Sequence, residues 1–118
     1  MIKLKRIYEP PEAADGERVL VERLWARGLT KEKARLDSWM KEVAPSSELR
    51  KWYSHDVDKW KEFRERYRKE LKSAGKQPLI QELLEKARHG TLTLLYAAHD
   101  PDHNSALVLR DLLESRLQ

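Results

Sequence analysis

The chain has 118 residues, enough for one domain, and no cysteine, which excludes disulfides, thiolate metal sites and cysteine nucleophiles. Hydrophobic residues make up 40% and charged residues 37%, so the composition is that of a globular rather than a disordered protein. The 24 Lys and Arg outnumber the 20 Asp and Glu, and the net charge of +4 is compatible with an anionic partner without requiring one.

The first 28 residues predict two strands. Apolar and charged residues mix from Ile2 to Tyr8, which indicates a first strand, and the proline-containing stretch 9–16 predicts a loop. The β-branched run 18–24 predicts a second strand, and Gly28 closes a turn after it.

The middle of the chain predicts helices. Their apolar residues recur at steps of three and four, and serine, threonine, glycine and proline mark their ends. The predicted helices are 30–43, 46–52, 57–73 and a fourth that begins near Pro78.

The C-terminal third predicts a buried strand and a last helix. The apolar run 91–98 is typical of a strand covered on both faces, and Asp100-Pro101 predicts the start of the helix. The order β, β, helices, β, α indicates one α/β domain over residues 1–118. We expect a small, mainly parallel sheet of about three strands, covered by four to five helices.

This topology predicts a binding crevice. Ligands bind beyond the carboxyl ends of the strands in an open α/β sheet, so the loops 25–28 and 99–104 should meet at one edge. The helix N-terminus there supplies backbone N–H groups and a positive dipole end, which favour a phosphate or carboxylate.

Basic and polar side chains border this crevice in the predicted fold. We expect Arg23 and Arg27 to neutralise a small anionic ligand, a nucleotide among the candidates, with Arg50 assisting and Tyr96 and Asn104 orienting it. The alternative for Arg23 is that it pairs with an internal acid such as Asp37 or Glu22.

Acid–base chemistry is an open possibility. His55 beside Asp56 could transfer protons near neutral pH, and Tyr96 could act as an acid. The competing interpretation is that Asp56 caps the following helix and the Tyr96 hydroxyl is packed and satisfied. Whether the protein is an enzyme therefore stays open, and the sequence identifies no cofactor.

Two other functions remain as alternatives. Residues 59–76 contain eight Lys or Arg and three Glu, a local charge of +5 that could follow the phosphates of a nucleic acid. A solvated helix face explains the same pattern. Haem or metal binding through His55 or His103 is a third hypothesis, although no metal-binding motif is present and we predict no metal site.

The sequence resembles a known family at many positions. The motifs that carry the resemblance are Arg18–Trp25, Arg27-Gly28, Leu36–Trp39, Ala44–Ser46, Glu48–Lys51, Phe63 with Tyr67, Leu94–Ala98 and Asn104. They resemble the YeaO-like proteins, a bacterial and archaeal branch of the domain-of-unknown-function family DUF488. The chain departs from the family pattern at Ala26, where proline is usual, and at His99. The resemblance implies no established reaction.

The sequence also bears on location. No apolar run approaches the length of a membrane span, and the first residues lack the apolar stretch of a secretion signal. We therefore expect a cytoplasmic protein without membrane association. Its oligomeric state is not predicted.

Overall fold

The computed structural model describes residues 1–118 as a parallel sheet covered by helices. The strands are β1 (Ile2–Arg6), β2 (Glu17–Leu20), β3 (Ser38–Trp39) and β4 (Leu92–Tyr96). The helices are α1 (Lys31–Ala34), α2 (Ser47–Tyr53), α3 (Trp60–Leu71), α4 (Gln77–His89) and α5 (Ser105–Leu117). Four short 3-10 turns are interspersed at Ala13–Asp15, Lys41–Val43, Val57–Lys59 and Ala74–Lys76.

The strand order is β1-β4-β2-β3, and every neighbouring pair is parallel. All five residues of β4 are buried, because this central strand has a neighbour on each side and is covered on both faces. Leu94 lies opposite Leu4 on one side and opposite Val19 on the other. The predicted α/β class is confirmed, with four strands rather than about three.

The additional strand replaces part of a predicted helix. The prediction of one helix over 30–43 is wrong, because Arg35 adopts a left-handed conformation (φ 48°) that ends α1 after a single turn. The chain then pairs with β2. The Asp37 N–H donates to the Arg18 carbonyl at 2.8 Å, and the Asp37 carboxylate accepts from the Arg18 N–H at 2.7 Å. The apolar residues whose spacing predicts a helix lie instead in or next to β3 and the 3-10 turn that follows it.

The last helix begins later than predicted. Asp100 and Pro101 precede α5 by one turn of loop, and Asn104 is the residue that caps it. The Asn104 side-chain oxygen accepts from the Leu107 N–H at 3.1 Å. Helices α3 and α4 are confirmed close to their predicted limits, and their apolar stripes are buried in the main core.

A buried ion-pair network fixes the loop before β2. Asp15 and Arg18 are 3% and 4% exposed, and a carboxylate oxygen of Asp15 lies 2.6 Å from the Arg18 guanidinium. Lys5 donates to the same carboxylate at 3.0 Å, and the Thr93 hydroxyl donates to the Asp15 carbonyl at 2.6 Å. These bonds connect the loop to three strands.

None of the helices has the length and apolar character needed to cross a membrane.

Candidate functional site

A cavity of about 660 Å³ opens at the carboxyl ends of β2 and β4. Residues from the loops after both strands, from α2 and from the start of α5 line it. The structure thus brings the loop 25–28 and the loop 99–104 to one edge of the sheet, beside the N-terminal turn of α5.

Cationic side chains exceed acidic ones around the cavity. Four Lys or Arg side chains line it, against two carboxylates. The cations are Arg23, Arg27, Arg50 and Lys51, and the acids are Glu22 and Asp100. The excess favours an anion.

Arg50 contributes the least satisfied of these charges. It lies on α2, is half-buried, and forms no ion pair within 4.0 Å. Its Nε is buried and has no hydrogen-bond partner. A guanidinium has five N–H donors, and leaving a buried one unbonded costs about 1–3 kcal/mol. The cavity wall therefore contains a cationic donor that protein groups leave unused.

Arg23 is more fully engaged than Arg50. The strand that precedes it ends at Leu20, and its guanidinium donates to the carbonyls of Pro45 at 3.1 Å and Ala44 at 3.3 Å. Glu42 lies 3.9 Å away. The alternative that Arg23 pairs with Asp37 or Glu22 is wrong, because backbone carbonyls of the loop before α2 take that place.

Arg27 lies at the rim of the cavity. Its side chain is exposed and forms no ion pair, while its carbonyl accepts from the Tyr8 hydroxyl at 2.9 Å. The turn that presents it is fixed by the Trp25 indole, which donates to the Leu29 carbonyl at 2.7 Å, and by Gly28, whose φ of 77° suits glycine. This guanidinium is free to meet a ligand.

Glu22 is a cavity residue that sequence reasoning considered only as a partner for Arg23. Its carboxylate accepts from the Ala97 N–H at 3.3 Å, and its carbonyl accepts from the Trp39 indole at 2.6 Å. Burial raises the pKa of Glu22, while the Ala97 N–H and the Arg50 charge act in the opposite direction. A carboxylate flanked by apolar strand residues and an arginine was the available signal for it.

The start of α5 forms the opposite wall. Asn104 is 4% exposed, and its side-chain amide donates to the Asp100 carbonyl at 3.0 Å while its oxygen caps the helix. Asn104 lines the cavity, but its side chain is bonded to the loop and to the helix, so its role is to shape the wall.

A histidine–carboxylate pair lies beside this wall. His103 Nδ1 is 2.8 Å from an Asp100 oxygen, and its ring packs edge-on against Trp60 with centroids 5.4 Å apart. The N–H of Asp102 and the His103 ring lower the pKa of Asp100.

The remaining candidate residues divide between the cavity and other places. His55 lines the cavity with a positive φ of 58°. Asp56 lies outside the cavity and caps the 3-10 turn that leads into α3, accepting from the Asp58 N–H at 3.1 Å. Tyr96 also lies outside it, buried in the main core at the end of β4, where burial raises its pKa.

The basic segment 59–76 is partly engaged within the protein. Lys59 and Arg66 both lie over the ring of Trp52, Arg66 also pairs with Glu62, and Lys76 donates to the Glu42 carbonyl. No group of three or more His, Asp or Glu residues is arranged to hold a metal ion.

Comparisons with known proteins place the chain in a family. Residues 1–118 match the family DUF488-N3i, described as the inactive DUF488-N3 subclade. The uncharacterised protein YeaO of Escherichia coli is 46% identical over 114 residues, which are 97% of each chain. An uncharacterised protein of Mycobacterium tuberculosis is 36% identical over 115 residues, 98% of this chain and 95% of that one. No solved structure shows significant similarity. The chain therefore belongs to the DUF488-N3i family and resembles YeaO.

Proposed function

We propose that this protein binds a small anionic ligand, carrying a phosphate or carboxylate group as a nucleotide does, in the cavity between the end of β2 and the start of α5. The observation that carries the proposal is Arg50, whose buried Nε has no partner and whose charge has no carboxylate within 4.0 Å. The terminal Nη groups of the same guanidinium are not buried and donate to no protein acceptor, so an anion in the cavity would accept hydrogen bonds from them and pair with the Arg50 charge.

Three further features support an anion. Cations outnumber carboxylates in the cavity wall, Arg27 is free at its rim, and the N-terminal turn of α5 brings a partial positive charge. Arg23 contributes its charge from a fixed position on two carbonyls.

We propose binding without turnover. The family description of an inactive subclade favours this. The Asp100–His103 contact then fixes the loop before α5 and transfers no proton.

The test is calorimetric titration with inorganic phosphate and with guanosine 5′-monophosphate. Arg50→Ala should weaken binding of the nucleotide by roughly tenfold to a hundredfold, the size of a lost charge-assisted hydrogen bond or pair of bonds. Arg50→Lys, which keeps the charge but loses the planar fork, should recover only part of it.

Arg68→Ala is the matched control, because it removes one exposed positive charge from the outer face of α3. We expect wild-type affinity for this variant. Equal losses for Arg50→Ala and Arg68→Ala would contradict a specific site and indicate general electrostatics, and a loss confined to Arg68→Ala would favour the basic helix and a nucleic acid.

A further inference from the structure

Glu22 lies in the wall of this cationic cavity and forms no direct ion pair, although the Arg50 charge acts on it from a longer distance. One carboxylate oxygen accepts the Ala97 N–H at 3.3 Å, a long bond, and the other oxygen has no partner in the protein. That second oxygen is not buried, so a molecule in the cavity can reach it. No Lys, Arg or His nitrogen lies within 4.0 Å of either oxygen.

An anion alone does not account for Glu22. A half-buried carboxylate without a partner is unfavourable, and it repels a phosphate or carboxylate bound nearby. Burial disfavours the charged form of Glu22, consistent with its raised pKa. The protein nevertheless holds the residue in place through the Trp39 indole, which donates to its carbonyl. No protein donor bonds the second oxygen in the structure, and Arg50 acts on Glu22 only from beyond 4.0 Å, so donors on a ligand in the cavity would satisfy this oxygen.

The rest of the wall is largely apolar. Tyr53 and Phe63 stack with ring centroids 4.3 Å apart, and Trp25 and the exposed Leu24 complete this part of the lining. A volume of about 660 Å³ exceeds what an inorganic anion fills and leaves room for an organic body beside it.

We propose that the ligand carries N–H donors together with its anionic group, and that Glu22 accepts those donors while Arg50 binds the anion. This inference rests on the proposed function and adds a selectivity to it. Such donors have two sources: the edge of a nucleobase such as guanine, with adjacent N–H groups, or an amino group on a small phosphate ester.

The experiment measures affinity for two matched pairs of anions. Guanosine 5′-monophosphate is compared with inosine 5′-monophosphate, which lacks the exocyclic amino group, and phosphoethanolamine with ethyl phosphate, which lacks the amine. In the wild-type protein we expect the donor-bearing member of one pair to bind at least about tenfold more tightly, as one charge-assisted hydrogen bond allows. The pair that shows the preference identifies the source of the donors.

Glu22→Gln should reduce that preference to about threefold or less, because the neutral amide accepts more weakly and brings donors of its own. Glu65→Gln, an exposed carboxylate of α3, is the control and should keep the wild-type preference. Circular dichroism checks whether Glu22→Gln folds. Glu22→Asp, which keeps the charge but withdraws it by one methylene, should also lose preference and serves if Glu22→Gln does not fold.

Two results would overturn this inference but not the proposed function. In the first, the anions bind to the wild-type protein but neither pair shows a preference. In the second, the preference persists in Glu22→Gln. If the wild-type protein binds neither inorganic phosphate nor any of the four organic anions, both the proposed function and this inference are overturned.

Discussion

Arg18 and Arg50 have different roles in this protein. Arg18 is almost fully buried and bonded to Asp15 and to the carbonyls of Ala34 and Arg35, so it is part of the scaffold. Arg50 lies in the cavity wall with its donors unused. The difference depends on partners distant in sequence, and composition or spacing cannot reveal it.

The Asp15 carboxylate provides a prediction for acid stability. Burial alone would raise the pKa of Asp15, but hydrogen bonds from the Glu12 N–H, Lys5 and Arg18 outweigh it and hold the pKa below the ordinary aspartate value. The stabilisation is therefore complete above the unfolded-state pKa, near 4, and is lost as pH falls towards the lower folded-state pKa.

We expect Asp15→Asn to destabilise the protein at pH 7 by about 3–5 kcal/mol, as for other broken buried ion pairs. The stability difference between the two proteins should shrink below about pH 4. Urea unfolding of both proteins between pH 3 and pH 7 measures this. A stability difference that stays constant over the whole range would contradict the role given to Asp15.

Secondary-structure elements could be predicted from the sequence where local pattern and tertiary environment agree. Helices α3 and α4 have apolar stripes at helical spacing, and β4 is an uninterrupted apolar run. Strand β3 could not be predicted, because a two-residue strand depends on pairing with β2 and its neighbours have helical spacing by coincidence.

The same limit applies to the candidate site. The meeting of two loops at the end of a parallel sheet follows from topology, so the positions of Arg23 and Arg27 could be anticipated. Glu22 is not predicted as a cavity residue, because the run 18–24 predicts a strand through Leu24, whereas β2 ends at Leu20 and Glu22 lies in the loop after it. Tyr96 is predicted to orient the ligand, but it is still part of β4 and is therefore buried in the core.

The cap of α5 provides a prediction at the scale of the element. Asn104→Ala removes the cap of Leu107 and the bond to the Asp100 carbonyl, and should cost about 1–2 kcal/mol. Asn104→Asp keeps the capping oxygen and should lose less. Thermal unfolding of the three proteins measures the order. An alanine variant as stable as wild type would show that the cap is dispensable.

At the scale of the whole molecule, charge is divided between two surfaces. One is the cavity at the carboxyl edge of the sheet, where Arg50 is free, and the other is the basic outer face of 59–76, where Lys59, Arg66 and Lys76 bond within the protein. The net charge of +4 attracts anions to both surfaces. Only the location of binding therefore distinguishes a small-anion site in the cavity from a nucleic-acid surface on the basic segment.

Amide chemical-shift mapping by NMR during titration with guanosine 5′-monophosphate tests the central claim most directly. The account predicts that the shifts concentrate at the cavity, on the loops 25–28 and 97–105 and the Trp25 indole N–H, while residues 64–72 of the basic helix stay unchanged. Shifts confined to residues 64–72, or none at millimolar nucleotide, would contradict it.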